Sequence, residues 1–126
     1  MKYSVTYLPK DEYILIKVTG RINFQAAEQY SKDTIKLAQE NLCNKFLIDH
    51  TETTLKEGVY RLHTSGEELQ EFGFTDKDRI AIIIANTKKK SDIPDASNQN
   101  SRFCVVKYFM EKDLSEALNW LQTNEN

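Results

Sequence analysis

The chain opens on strict alternation: Tyr3, Val5 and Tyr7 interleave with Ser4 and Thr6, the period of a half-buried strand. The polar stretch Pro9-Lys10-Asp11-Glu12 then leads into a second strand, Tyr13-Ile14-Leu15-Ile16-Lys17-Val18, which Gly20 ends. A turn this short joins antiparallel neighbours. Asn23 caps a helix predicted through about Asn41, because Phe24, Ala27, Tyr30, Thr34, Leu37 and Ala38 fall near one face at helical spacing. The brief apolar run Lys45-Phe46-Leu47-Ile48-Asp49 reads as a buried strand. A helix between two strands makes a crossover, which favours parallel pairing and a right-handed connection.

His50-Thr51-Glu52-Thr53-Thr54 reads as the loop after that strand. Thr54 and Glu57 stand at capping-box spacing, predicting a helix from Leu55 with Val59, Leu62, Leu69 and Phe72 as its apolar stripe. Ser65 and Glu68 repeat the spacing, so one kinked helix or two short ones fit, and Gly73 reads as the C-terminal cap. Ile80-Ala81-Ile82-Ile83-Ile84-Ala85 lacks alternation, as a central parallel strand covered on both faces requires. Next come an exposed loop around Lys88-Lys89-Lys90 and a short helix over Ile93 to Arg102, weakened by its Ser and Asn content. A last strand, Phe103 to Phe109, precedes a closing helix with Asp113 and Glu116 as its capping box and Leu114, Ala117, Leu118 and Leu121 as its stripe. The order β-β-α-β-α-β-α-β-α predicts an α/β fold, a mostly parallel sheet of about five strands with an N-terminal β-hairpin and about four packed helices. One domain spans residues 1–122, followed by a polar tail, 123–126.

Length and charge narrow the partners. At 126 residues and 40% hydrophobic content the chain can bury one real core. Seventeen Lys and Arg against nineteen Asp and Glu leave a net charge of −2, too balanced for a phosphate-backbone binder, so no nucleic-acid partner is expected. The longest apolar run, Ile80 to Ala85, falls far short of the ~20 residues of a membrane span. The first residues alternate like a strand and show no signal-peptide core, so a cytoplasmic location is expected. Cys43 and Cys104 have no metal-type spacing and read as buried or half-buried thiols.

Candidate chemistry is sparse. The four glycines never cluster into a phosphate loop, and neither His50 nor His63 lies in a nucleophile motif. No enzyme activity, cofactor or metal site is therefore expected. Asp49 and His50 stand at the C-terminal end of a predicted parallel strand, where open α/β sheets place ligand groups. Thr51, Thr53 and Thr54 stand at a predicted helix N-terminus, where a phosphate would be stabilised, with simple capping by Thr54 as the alternative.

Three passages carry a family resemblance: Tyr13 to Phe24 (YILIKVTGRINF), Lys45 to Thr54 (KFLIDHTETT) and Leu114 to Leu121 (LSEALNWL). With the elements so placed, the chain resembles the STAS/SpoIIAA-like superfamily, the sulphate-transporter and anti-sigma-factor-antagonist domains, and more closely small bacterial STAS-like proteins. The resemblance implies a SpoIIAA-like β-α superhelix and a non-enzymatic regulatory or protein-binding module. In the antagonists a Ser or Thr beginning the helix after the third strand is phosphorylated by a partner kinase. Thr51, Thr53 and Thr54 lie in the corresponding stretch, where Asp49-His50-Thr51-Glu52-Thr53-Thr54 stands in place of the family's Asp-Ser-Ser-Gly type of signature. Asp49, His50, Glu57 and Gly58 are then candidates for partner or ligand contact, with a kinase or regulator as the protein partner. The alternative is a small-molecule or lipid carrier with a cavity between the sheet and the helix after Thr54, suggested by Val59, Tyr60, Leu62, Leu69 and Phe72. An exposed edge on the first strand would also suit a homodimer.

Overall fold

The computed structural model describes residues 1–55, 61–96, 99–100 and 104–123. Its strands are β1 (Lys2–Leu8), β2 (Tyr13–Arg21), β3 (Lys45–Thr54), β4 (Arg79–Ile84), β5 (Gln99–Asn100) and β6 (Val105–Met110). The helices are α1 (Phe24–Asn41), α2 (Gly66–Phe72) and α3 (Leu114–Gln122), with single 3-10 turns at Lys90–Asp92 and Glu111–Asp113. The strands form one sheet in the order β1-β2-β3-β4-β6-β5. β2, β3, β4 and β6 are parallel, and β1 and β5 pair antiparallel at the two margins.

The chain steps from β2 to β3 to β4 to β6 in one direction across the sheet. With one hand of crossover, such steps leave their connections on one face. On that face Ile14, Ile16, Phe46, Ile48, Ile80 and Ile82 pack against Ala27 and Tyr30 of α1 and Leu69 and Phe72 of α2. Among the described residues the other face has only α3, which lies over β4 and β6. There Tyr13, Leu47, Ala81, Ile83 and Phe109 meet Ala117 and Leu121. Towards β1 the same face turns polar, and Ser4, Thr6 and Lys17 are exposed.

Local signals place the helices bounding the main core. Asn23 Oδ1 accepts from Ala26 N at 2.8 Å, and Ser65 Oγ accepts from Glu68 N at 3.2 Å, each satisfying an orphan amide of a first turn. Gly73 closes α2 at φ 116°, a left-handed conformation that an L side chain rarely adopts. Cys43 is half-buried and Cys104 buried, both as free thiols.

Four expectations need correction. No helix begins at Leu55: β3 continues through Thr54, because Glu52, Thr53 and Thr54 pair with Thr19, Gly20 and Arg21 of β2, and cross-strand pairing of a threonine-rich segment overrides the local capping signal. Glu57, Gly58, Val59 and Tyr60 lie outside the described residues. The described residues of the helix expected over Ile93 to Arg102 are not helical: 93–96 form a bend and turn, and Gln99 and Asn100 form β5, pairing with Val106 and Val105, while residues 97, 98, 101 and 102 lie outside the described residues. The described residues thus hold three helices and six strands, against about four and five expected. Asp113 makes no capping hydrogen bond, since the 3-10 turn delivers it at φ −104°, ψ 24°, away from the extended geometry of a capping residue. Finally, His63 lies on no helix; it precedes α2 in a loop at φ 60°.

Candidate functional site

The polar residues singled out after the third strand occupy a β-bulge. Lys17 of β2 lies opposite Asp49, yet Thr19 lies opposite Glu52, so β3 carries one extra residue at His50–Thr51. Such an insertion breaks the alternation of faces and re-aims the side chains beyond it. Asp49 and His50, as neighbours in a strand, serve opposite faces of the sheet and cannot together hold one ion, while the bulge turns Thr53 onto the same face as His50.

On the α1 face, His50 is buried beneath Tyr30. Thr53 Oγ1 donates its single hydrogen to the Val18 carbonyl at 3.0 Å. It must therefore accept from His50 Nδ1, 2.7 Å away, which makes the neutral ring an Nδ1–H tautomer. Nε2 is left as an acceptor for the Tyr30 hydroxyl at 3.4 Å. Burial lowers the His50 pKa to about 4, with the Asp49 charge acting in the opposite direction. The chain Tyr30–His50–Thr53–Val18 is closed on itself and fastens the end of β3 to α1 and β2.

On the α3 face, Asp49 Oδ1 accepts from the Thr51 amide at 2.9 Å and the Thr51 hydroxyl at 2.7 Å. These two residues line a cleft of about 240 Å³ with Leu15, Leu47, Glu111 and Leu118. Thr54 is exposed, and its carbonyl accepts from Ile22 N at 3.1 Å.

β3 outruns its neighbour. Its pairing with β4 ends at Asp49 opposite Ile83, while its pairing with β2 continues to Thr54. A second cavity of about 250 Å³ opens in the wedge between the diverging strands, lined by Leu55, Leu62, Ile84, Lys88 and Ile93 among others. One wall is the segment 61–65, anchored by a buried carboxylate. Asp95 accepts from Leu62 N at 3.4 Å and from Thr64 N at 3.0 Å, and the Thr64 hydroxyl also bonds that of Tyr108. Glu68 ties the same segment to α2 through Arg61 and through His63 Nδ1 at 2.8 Å. Burial pushes the Glu68 carboxyl up, but those two partners hold it below its ordinary value.

The structure therefore brings His50 together with Thr53, and Asp49 together with Thr51, and sets Thr54 apart on the surface. The Ser65–Glu68 capping signal correctly marked α2, but Asp95 and Glu111 come to the site from distant segments without a local signal. Tyr30 did carry one: a tyrosine in a helix stripe buries a hydroxyl that needs a partner.

Taken together, the described elements define an open α/β domain with α1 and α2 on one sheet face and the short α3 on the other. Two solved structures are similar to it over nearly its whole length. One is the anti-sigma factor antagonist SpoIIAA in its unphosphorylated form, at 12% identity and a TM-score of 0.47, covering 94% of this chain and 98% of that one. The other is an uncharacterised protein of the DUF3478 family with a SpoIIAA-like fold from Shewanella loihica, at 18% identity and a TM-score of 0.48, covering 95% of this chain and 92% of that one. No protein-family model and no curated protein matches the chain. No helix among the described residues is long and apolar enough to cross a membrane.

Proposed function

We propose that the chain is a non-enzymatic binding module that engages a partner protein through the projecting end of β3. The observation that carries this reading is the overhang: beyond the bulge, residues 52–54 pair with β2 on one side, and among the described residues no strand lies along the other. Unpaired backbone of this kind is a template for an added segment. The overhang presents Glu52 and Thr54 to solvent. The enclosed His50–Thr53 pair holds it in position, with both hydrogen-bonding groups already engaged inside the domain.

Regulation by phosphorylation, in this reading, falls on Thr54. A phosphate on Thr51 would sit against the carboxylate that its hydroxyl now bonds, and the Thr53 hydroxyl is held between His50 and Val18. The carrier alternative is less well supported, because of the described residues that suggested it Leu69 and Phe72 are buried in the core and Leu62 alone lines the wedge cavity. Homodimerisation has its own candidate surface in β1, which ends the sheet with an outer edge that no strand among the described residues pairs.

Thr54→Asp is expected to change stability by less than about 0.5 kcal/mol, as for an exposed surface site. It is also expected to remove a stoichiometric partner that co-purifies with the unaltered chain from its own cells. Peptide mapping of that chain, with phosphatases blocked, is expected to place a phosphate on Thr54. Equal recovery of the same partner by the variant would refute the contact surface, and a chain unmodified under all growth conditions would refute the regulation.

A further inference from the structure

We infer that the cleft between α3 and the bare part of the sheet is a binding site for a small aliphatic ammonium compound. It lies on the sheet face opposite the His50–Thr53 pair and does not rest on the protein-contact reading. α3 covers β4 and β6 but stops short of β2, and the gap is the cleft of about 240 Å³.

The lining divides by chemistry. Leu15, Leu47 and Leu118 supply apolar surface for a hydrocarbon chain, and Leu114, 43% exposed, extends it at the rim. Asp49 and Glu111 supply two carboxylates, and among the described residues no lysine or arginine lines the cleft. The Asp49 carboxylate is fixed by the two Thr51 bonds to Oδ1, while Oδ2 takes no hydrogen bond among the described residues. Glu111 likewise has no ion pair among the described residues. Of the lysines on this face of the sheet, Lys17 lies 3.9 Å from Glu52, and Lys107 lies over the Phe109 ring at 5.3 Å. An apolar floor beneath two uncompensated carboxylates rejects fatty acids and other anions, and it selects a ligand with a hydrocarbon body and a cationic head. A half-enclosed cleft strengthens charge-assisted bonds to that head relative to open water.

The test is a titration of the whole chain with n-hexylammonium at neutral pH, followed by amide NMR. Shifts are expected around Leu15, Asp49, Thr51 and Leu118. Hexanoate is expected to leave these signals in place, and hexanol to bind about tenfold more weakly, the loss of one charge-assisted contact. Asp49→Asn keeps the Oδ1 acceptor for Thr51 and is expected to weaken hexylammonium about tenfold. Glu111→Lys alters only an exposed side chain and is expected to abolish binding, which keeps the charge requirement testable should the Asp49 variant fold poorly. Hexanol binding as tightly as hexylammonium, or shifts confined to other regions, would overturn the site. Tighter binding of Nα-acetyl-lysine methylamide would also overturn it, moving the occupant to a side chain of a protein partner. Thr54→Asp is expected to bind hexylammonium like the unaltered chain, so failure of the cleft and failure of the β3 contact surface are separately visible.

Discussion

Acidification from pH 6.5 to about 4 is expected to cost the folded state about 3 kcal/mol through His50 alone. The ring is buried and its pKa falls from 6.5 to about 4, burial being the larger influence and the Asp49 charge offsetting only part of it. The unfolded chain therefore binds a proton at higher pH than the folded one. The contribution is complete above pH 6.5, is lost progressively as the pH falls, and is gone near pH 4. Denaturant unfolding at a series of pH values measures it directly. The control is His50→Gln, in which this pH dependence should vanish whatever the variant's absolute stability. Parallel curves for the two proteins between pH 7 and 4 would mean that His50 contributes none of it. Because the ring fastens Thr53 to α1, the end of β3 is expected to lose protection from hydrogen exchange before the rest of the sheet.

Asp95→Ala carries a comparable expected cost, about 3 kcal/mol, for a different reason. The carboxylate caps the backbone amides of Leu62 and Thr64, residues only 2% and 1% exposed. Each buried donor left without an acceptor costs roughly 1–3 kcal/mol. Asp95→Asn should recover part of the loss, since its one carbonyl oxygen can serve one of the two amides. Urea unfolding gives the magnitude, and amide exchange at Leu62 and Thr64 gives the location. If exchange at those two amides stays at its original rate in the alanine variant, the carboxylate is not what holds the segment. The consequence for the wedge follows from position: Leu62 lines it, so loosening residues 61–65 enlarges the cavity beside β3.

Elements written in local patterns were legible in the sequence. The unbroken run at Ile80–Ile84 could only be a strand covered on both faces, and the caps at Asn23 and Ser65 bond as their spacing implied. Elements decided by distant pairing were not. Thr54 and Glu57 spell a helix start, but the partner strand β2, more than thirty residues earlier, draws Thr54 into the sheet. At the candidate site, Asp49, His50, Thr51 and Thr53 were recognisable as a group. Their division between two faces was only half legible: alternation alone sets Asp49 and Thr51 opposite His50, but the bulge that turns Thr53 onto the His50 face belongs to the register between strands and leaves no mark in one strand's own pattern. Glu111 and Asp95 were illegible for the same reason: each reaches its position through the packing of a later segment.

The uneven covering of the sheet also sets an order of events during synthesis. The apolar surface of Tyr13, Leu47, Ala81, Ile83 and Phe109 is made well before Ala117 and Leu121, the residues that shield it. The face under α1 and α2 can close while translation proceeds, but the other stays bare until α3 leaves the ribosome. A chain stopped just after β6 would retain most of its strand pairing and yet be sticky along one side. Nine residues of helix thus decide whether that apolar surface is buried within the chain or offered to its other copies.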